Sequence, residues 1–157
     1  FRTIARACRQ LNVRLLIAHC GGLNAEQAAR LRRYGAGVTD FADQPAVLRQ
    51  AQAVITHGGL NTVMDAIESV TPILTIPLAF DQPGVASRVV YSGIGRRASR
   101  FTTVDALAKN LDALLSDKGY RQRLTVMQAQ LEHAGGASYT AEVVEQALRE
   151  RHPVMAA

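Results

Sequence analysis

A run of apolar residues that stops at a glycine pair and passes straight into a helical pattern constrains this chain most. Ala53–Thr56 reads as a buried strand, His57-Gly58-Gly59 as the break and Leu60–Ser69 as the helix. A helix that starts this way presents free backbone N–H groups and the positive end of its dipole, which suits an anion. The glycines let the backbone approach a phosphate closely. Asn61 and Thr62 stand at the first helical positions with hydrogen-bonding side chains, and Asp65 lies one turn deeper than Asn61 on the same face. After the next strand comes Pro77-Leu78-Ala79-Phe80-Asp81-Gln82-Pro83. A carboxylate beside a carboxamide can accept from and donate to adjacent hydroxyls. The first cluster reads as a phosphate cradle and the second as a polyol-binding pair.

The rest of the chain repeats this alternation, which argues for α/β units on a parallel sheet. Strands are expected at Val13–Ala18, Gly37–Asp40, Ala53–Thr56, Ile73–Ile76 and Gly95–Ala98. Helices are expected at Arg2–Gln10, Ala25–Tyr34, Pro45–Ala51, Leu60–Ser69, Gly84–Ser92, Val104–Ser116, Lys118–His133 and Tyr139–Arg151. Leu107, Leu111, Leu114 and Leu115 mark the apolar face of the helix at Val104, with Thr103 as its N-cap. The chain's 157 residues make one domain. It opens inside a helical pattern, with Phe1, Ile4 and Ala5 already on an apolar face, whereas a doubly wound domain is expected to begin with a strand.

The net charge of +5 comes from 18 basic against 13 acidic residues, without a dense basic run. Aromatics are 5% of the chain and do not interleave with the basic residues, which argues against a single-strand stacking platform and against nucleic acid as a partner. Cys8 and Cys20 make no disulfide framework and read as reduced, buried thiols of a cytoplasmic protein. His19-Cys20-Gly21-Gly22 is another strand-end cluster, too poor in ligands for a metal site; it reads as loop structure, with a uridine-side contact as the alternative.

Thr56-His57-Gly58-Gly59-Leu60-Asn61-Thr62 with Asp65, preceded by Phe41 and Gln44 and followed by Pro77, Asp81 and Gln82, resembles the signature of the UDP-glycosyltransferases. Members carry an aromatic and a Gln on one loop, then T-H-x-G-x-N-S/T-x-x-E, then P-x-x-x-D-Q. The resemblance runs from about Phe1 to Leu148. The block Asp40–Ser99, through Phe41-Ala42-Asp43-Gln44 and Ala79–Arg88, is most similar to the branch that glucosylates zeaxanthin in carotenoid-producing bacteria.

The resemblance implies a Rossmann-like doubly wound parallel sheet, the C-terminal, donor-binding half of a GT-B glycosyltransferase, across residues 1–157. It also implies that the first strand and an N-terminal acceptor domain are absent from this sequence. The site it implies has His57, Gly58, Gly59, Asn61 and Thr62 on the diphosphate, Phe41, Gln44 and Asp65 on the uridine, and Asp81 and Gln82 on the hexose. No catalytic residue and no metal ligand is implied here, since the general base belongs to the acceptor domain.

Each residue also has a plainer reading. His57 can be a turn residue or a base, Asn61 and Thr62 helix caps, Asp65 a carboxylate favoured by the dipole, and Phe41 a core residue closing its strand. Asp65 stands for the family's Glu and is one methylene shorter, which puts two-oxygen ribose binding in question. Asp43 stands for the usual Pro and predicts a less rigid loop. Val85 stands for a common Asn. The implied partners are UDP-glucose, used without metal or other cofactor, and a lipophilic carotenoid acceptor bound by the other domain. A lipid-like acceptor brings with it peripheral contact with the inner membrane face, and the last helix, without a partner domain, is expected to self-associate. A different acceptor, or a noncatalytic UDP-sugar-binding module, remains as the alternative.

Overall fold

The computed structural model describes residues 1–152. Helices and strands alternate as α1 (Arg2–Gln10), β1 (Leu16–Ala18), α2 (Ala25–Arg32), β2 (Gly37–Thr39), α3 (Gln44–Leu48), β3 (Val54–Thr56), α4 (Leu60–Glu68), β4 (Ile73–Thr75), α5 (Gln82–Tyr91) and β5 (Gly95–Arg97), followed by α6 (Val104–Ser116), α7 (Gly119–Glu132) and α8 (Gly136–Glu150). Each expected element is present, in the expected order. Thr103 caps α6 by accepting from the Ala106 N–H at 3.2 Å. Asn24 and Gln27 form a reciprocal capping box on α2.

The strands are shorter than the apolar runs that announce them. β1 was expected from Val13, yet the ladder starts at Leu16, where Gly37 first comes opposite it. Upstream, the Val13 N–H turns back to the Cys8 carbonyl instead. Three helices start earlier than expected, α3 among them, at Gln44 rather than Pro45. α5 begins at Gln82 rather than Gly84. α8 begins at Gly136 rather than Tyr139, because Gly135, at φ +75°, turns the chain one residue before it.

All strand pairs are parallel, and they form two separate ladders. β1 pairs with β2, while β3, β4 and β5 are joined in that order. Among the described residues neither β1 nor β3 has a partner on its other side. The two ladders are held by α1. Its Ala5 packs with Ile17, Leu31 and Ala36 beside the β1–β2 pair, and its Ala7 packs with Leu74, Leu107 and Leu114 beside the larger sheet. A third cluster (Val63, Ile67, Ile73, Val89, Ile94 and Leu124) fills the opposite face, between α4, α5 and α7. Burying each such aliphatic side chain is worth about 2 kcal/mol, so these clusters supply the bulk of the stabilisation. α8 contributes none of it: no residue on it is buried, and Tyr139, Val144 and Leu148 are all more than half exposed.

Candidate functional site

Parallel strands send their carboxyl ends to one edge, where an open α/β sheet offers its crevice. Three loops meet there. The loop after β3 is the tightest. Thr56 is buried, and its Oγ1 accepts from the Gly58 N–H at 3.2 Å. Gly58 sits at φ +92°, and a Cβ on it would stand 3.5 Å from the Gln82 carbonyl, so this turn lies directly against the start of α5. Gly59 is the N-cap of α4, and no side chain caps that helix. Its first N–H groups therefore face outward without a side-chain acceptor. A Cβ on Gly59 would come within 2.7 Å of His57 Nε2. The exposed imidazole is thus folded over the bare helix start. Asn61 is exposed and does not act as a cap.

The loop after β2 reaches the same helix. Thr39 Oγ1 donates to the Phe41 carbonyl at 2.8 Å. Asp43 is the N-cap of α3, accepting from the Ala46 N–H at 3.0 Å. The expectation of a less rigid loop is therefore corrected: the carboxylate that replaces Pro pins the loop by capping. Gln44 is the first residue of α3, not a loop residue. Its Nε2 donates to Asp65 Oδ2 at 2.7 Å, and its Oε1 accepts from Thr62 Oγ1 at 3.3 Å. One carboxamide thus joins three of the expected residues from two segments. Phe41 is 79% exposed, which removes its reading as a core residue.

The loop after β4 carries Asp81 and Gln82. Gln82 Oε1 accepts from the Leu78 and Ala79 N–H groups at 2.9 and 3.1 Å. The side-chain carbonyl is used to fold its own loop, which leaves the amide nitrogen as the group facing outward. Asp81, at the N-cap of α5, makes no cap bond and is exposed. Between them and the strand, Phe80 adopts φ +56° and is 94% exposed. Sequence reasoning missed this residue, as it missed the tie between His19 and Asp40, whose Nδ1 and Oδ1 lie 3.5 Å apart. No local signal announces the tie between His19 and Asp40, since it depends on how two loops meet. Among the described residues no group of three or more His, Cys, Asp or Glu is arranged to hold a metal ion.

An uncapped helix start under an imidazole can receive an anion, and a carboxylate one turn below it and a polar pair on the neighbouring loop can hydrogen-bond to hydroxyls. The sequence model of the family described as "UDP-glucoronosyl and UDP-glucosyl transferase" matches residues 2–134. The chain belongs to this UDP-glycosyltransferase family. Among curated members it is 52% identical to the zeaxanthin glucosyltransferase of Pantoea ananas over 99% of its length, and 49% identical to that of Pseudescherichia vulneris over 94%. It spans about a third (36%) of the length of each. Among solved structures, the glycotransferase of kitacinnamycin superposes with a TM-score of 0.83 at 30% identity, over 93% of this chain and 38% of that one. The fold of this UDP-glycosyltransferase segment is therefore that of GT-B glycosyltransferases, an α/β architecture with parallel strands.

Proposed function

We propose that this chain is the donor-binding part of a glucosyltransferase that moves glucose from UDP-glucose to the hydroxyl groups of zeaxanthin, with inversion at the sugar. The observation that carries the reading is the convergence of Gln44, Thr62 and Asp65 beside the uncapped start of α4 and under reach of His57. In this reading the diphosphate lies on the free N–H groups at the start of α4, beside Gly58 and Gly59, with His57, Asn61 and Thr62 around it. Charge grows on the leaving UDP oxygen as the glycosidic bond breaks. Fixed donors and a helix dipole aimed at that charge lower the barrier, because they need no reorganisation. These groups share the task without a metal.

The uracil lies on Phe41, the ribose hydroxyls meet Asp65 and Gln44, and the hexose hydroxyls meet Asp81 and the free amide of Gln82. The acceptor and the general base lie outside these 157 residues, on an acceptor domain. The support for glucose and zeaxanthin is the likeness to the two zeaxanthin glucosyltransferases. The protein is cytoplasmic in this reading and meets its lipophilic acceptor at the membrane surface. No helix among the described residues is long and apolar enough to cross a membrane. The exposed apolar side of α8 packs on the acceptor domain, or on a second copy when this part stands alone.

Calorimetric titration with UDP tests the site. His57→Ala and Asn61→Ala are each expected to weaken binding about tenfold, the usual worth of a charge-assisted contact. Unchanged affinity in both would remove the phosphate assignment. Product analysis with UDP-glucose and zeaxanthin tests the reaction, and activity only on an unrelated acceptor would overturn that half.

A further inference from the structure

His19 sits at the carboxyl end of β1, outside the set of residues assigned to the ligand. Its side chain is 10% exposed, and its Nδ1 is buried without a hydrogen-bond partner. A buried, unsatisfied ring nitrogen is costly and calls for a reason. The nearest carboxylate is Asp40, whose Oδ1 lies 3.5 Å away. Asp40 is the residue immediately before Phe41.

The two loops are tied at several further points. The His19 N–H donates to the Thr39 carbonyl at 3.1 Å, and the Cys20 N–H to the Asp40 carbonyl at 2.7 Å. The Gly21 N–H donates to Asp40 Oδ1. That bond requires two successive left-handed residues, Cys20 at φ +48° and Gly21 at φ +75°. A non-glycine residue held this way is strained. Chain strain and a buried imidazole thus converge on one exposed carboxylate, and that carboxylate carries the aromatic ring on its next residue.

We propose that His19 is a positioning residue for the nucleobase: with Asp40 it holds the Phe41 ring as a platform, without touching the nucleotide itself. The proposal rests on the donor-site reading above. An aromatic side chain that is 79% exposed has few contacts of its own to fix it, so its backbone must be fixed instead. Thr39 Oγ1 holds the Phe41 carbonyl from one side, and on the other the residue before it is held by the Gly21 N–H, with the buried His19 imidazole 3.5 Å from the same Asp40 oxygen.

The test is a titration of the full chain with two probes: UDP, and ribose 5-diphosphate, which lacks the base. His19→Ala is expected to weaken UDP about fivefold and leave ribose 5-diphosphate unchanged. His19→Asn, whose amide can donate near the Nδ1 position, is expected to restore most of the loss. In a Phe41→Ala background His19→Ala is expected to have no further effect. Asp40→Asn, at an exposed and nearly isosteric position, reports on the same pair should His19→Ala not fold, and it is expected to lower UDP affinity alone. Equal weakening of both probes, or an effect that persists without Phe41, would overturn the platform role. If the unaltered chain binds UDP and neither His19→Ala nor Asp40→Asn changes that binding, this proposal alone falls. If the unaltered chain binds no UDP, the donor-site reading falls, and the platform with it.

Discussion

Gln44 Nε2 donates to Asp65 Oδ2 at 2.7 Å across 21 residues of sequence, and this bond joins the start of α3 to α4, the helix after β3. It also compensates for a short side chain. Asp65 stands where family members carry Glu, and the carboxamide of Gln44 closes over one of its oxygens. The other oxygen is left for a ligand. In the proposed site Asp65 therefore accepts from one ribose hydroxyl, and Gln44 supplies the rest. Asp65→Asn is expected to weaken UDP about tenfold, and Gln44→Leu somewhat less. The double variant should lose less than the sum, with a coupling of about 1 kcal/mol. Calorimetry on the four proteins measures it, and strict additivity would separate the two residues. 2′-Deoxy-UDP and 3′-deoxy-UDP are expected to differ, the analogue that lacks the hydroxyl read by Asp65 binding about tenfold more weakly than UDP and the other within about threefold.

Gly59 is needed for the space above it rather than for its backbone angle. At φ −62° an alanine is conformationally welcome, but its Cβ would meet His57 Nε2 at 2.7 Å. Gly59→Ala is therefore expected to leave the thermal midpoint within a few degrees and to weaken UDP about as much as His57→Ala does. Gly58→Ala should differ. At φ +92° it strains the backbone, and a stability loss of about 1–2 kcal/mol accompanies the loss of binding. Denaturation and titration of both variants separate space from strain. Equal stability losses would refute the distinction.

Gln82 has two jobs that one substitution can divide. Its oxygen folds the loop through Leu78 and Ala79, while its nitrogen is the group left to meet a sugar. Gln82→Glu keeps the acceptors and removes the donor. UDP affinity is expected to stay within about twofold, while the extra affinity for UDP-glucose over UDP is lost. Gln82→Ala also frees the loop, so UDP should weaken as well. Asp81→Ala is expected to behave like Gln82→Glu, because Asp81 makes no cap bond that its loss would break. Equal losses for UDP and UDP-glucose in the Gln82→Glu variant would move the residue from the sugar to the nucleotide.

The two thiols should separate by burial. Burial pushes the Cys8 thiol above its ordinary value of 9.0, because the charged form is poorly solvated between α1 and its neighbours. The folded state then keeps its proton to higher pH than the unfolded state does. The stability from Cys8 is fully present below the unfolded value and is lost as pH rises from there towards the folded value. Stability is expected to fall above pH 9.0, and Cys8→Ala should flatten that slope at a cost of about 1 kcal/mol at neutral pH. The expectation of two buried thiols is corrected at Cys20, which lies exposed in the turn after β1 and should be alkylated first, with Cys8 reacting only on unfolding. Mass spectrometry after graded labelling reads the order, and early modification of Cys8 would contradict its burial.

The sequence by itself determined the elements and most of the candidate site. Alternating apolar runs and helical patterns are local signals, and a glycine pair between a strand and a helix has few other uses. So, while Phe41 was singled out only by the resemblance to the family, Thr103 as the cap of α6 and the break at Gly58-Gly59 were legible from spacing alone. Where strands begin was not, because a ladder exists only where a partner lies opposite; Val13 is apolar, yet β1 starts at Leu16.

The tertiary structure decided what each polar group does. Asp43 turned from a loosening substitution into a cap, since the Ala46 N–H lies within its reach. Gln44 found Asp65 and Thr62, Gln82 spent its oxygen on its own loop, and His19 came to lie against Asp40. Periodicity specifies which face of an element is buried, but a hydrogen bond needs two atoms within about 3 Å. When those atoms come from segments far apart in sequence, only the packing of α1, α3 and α4 on their strands can bring them together.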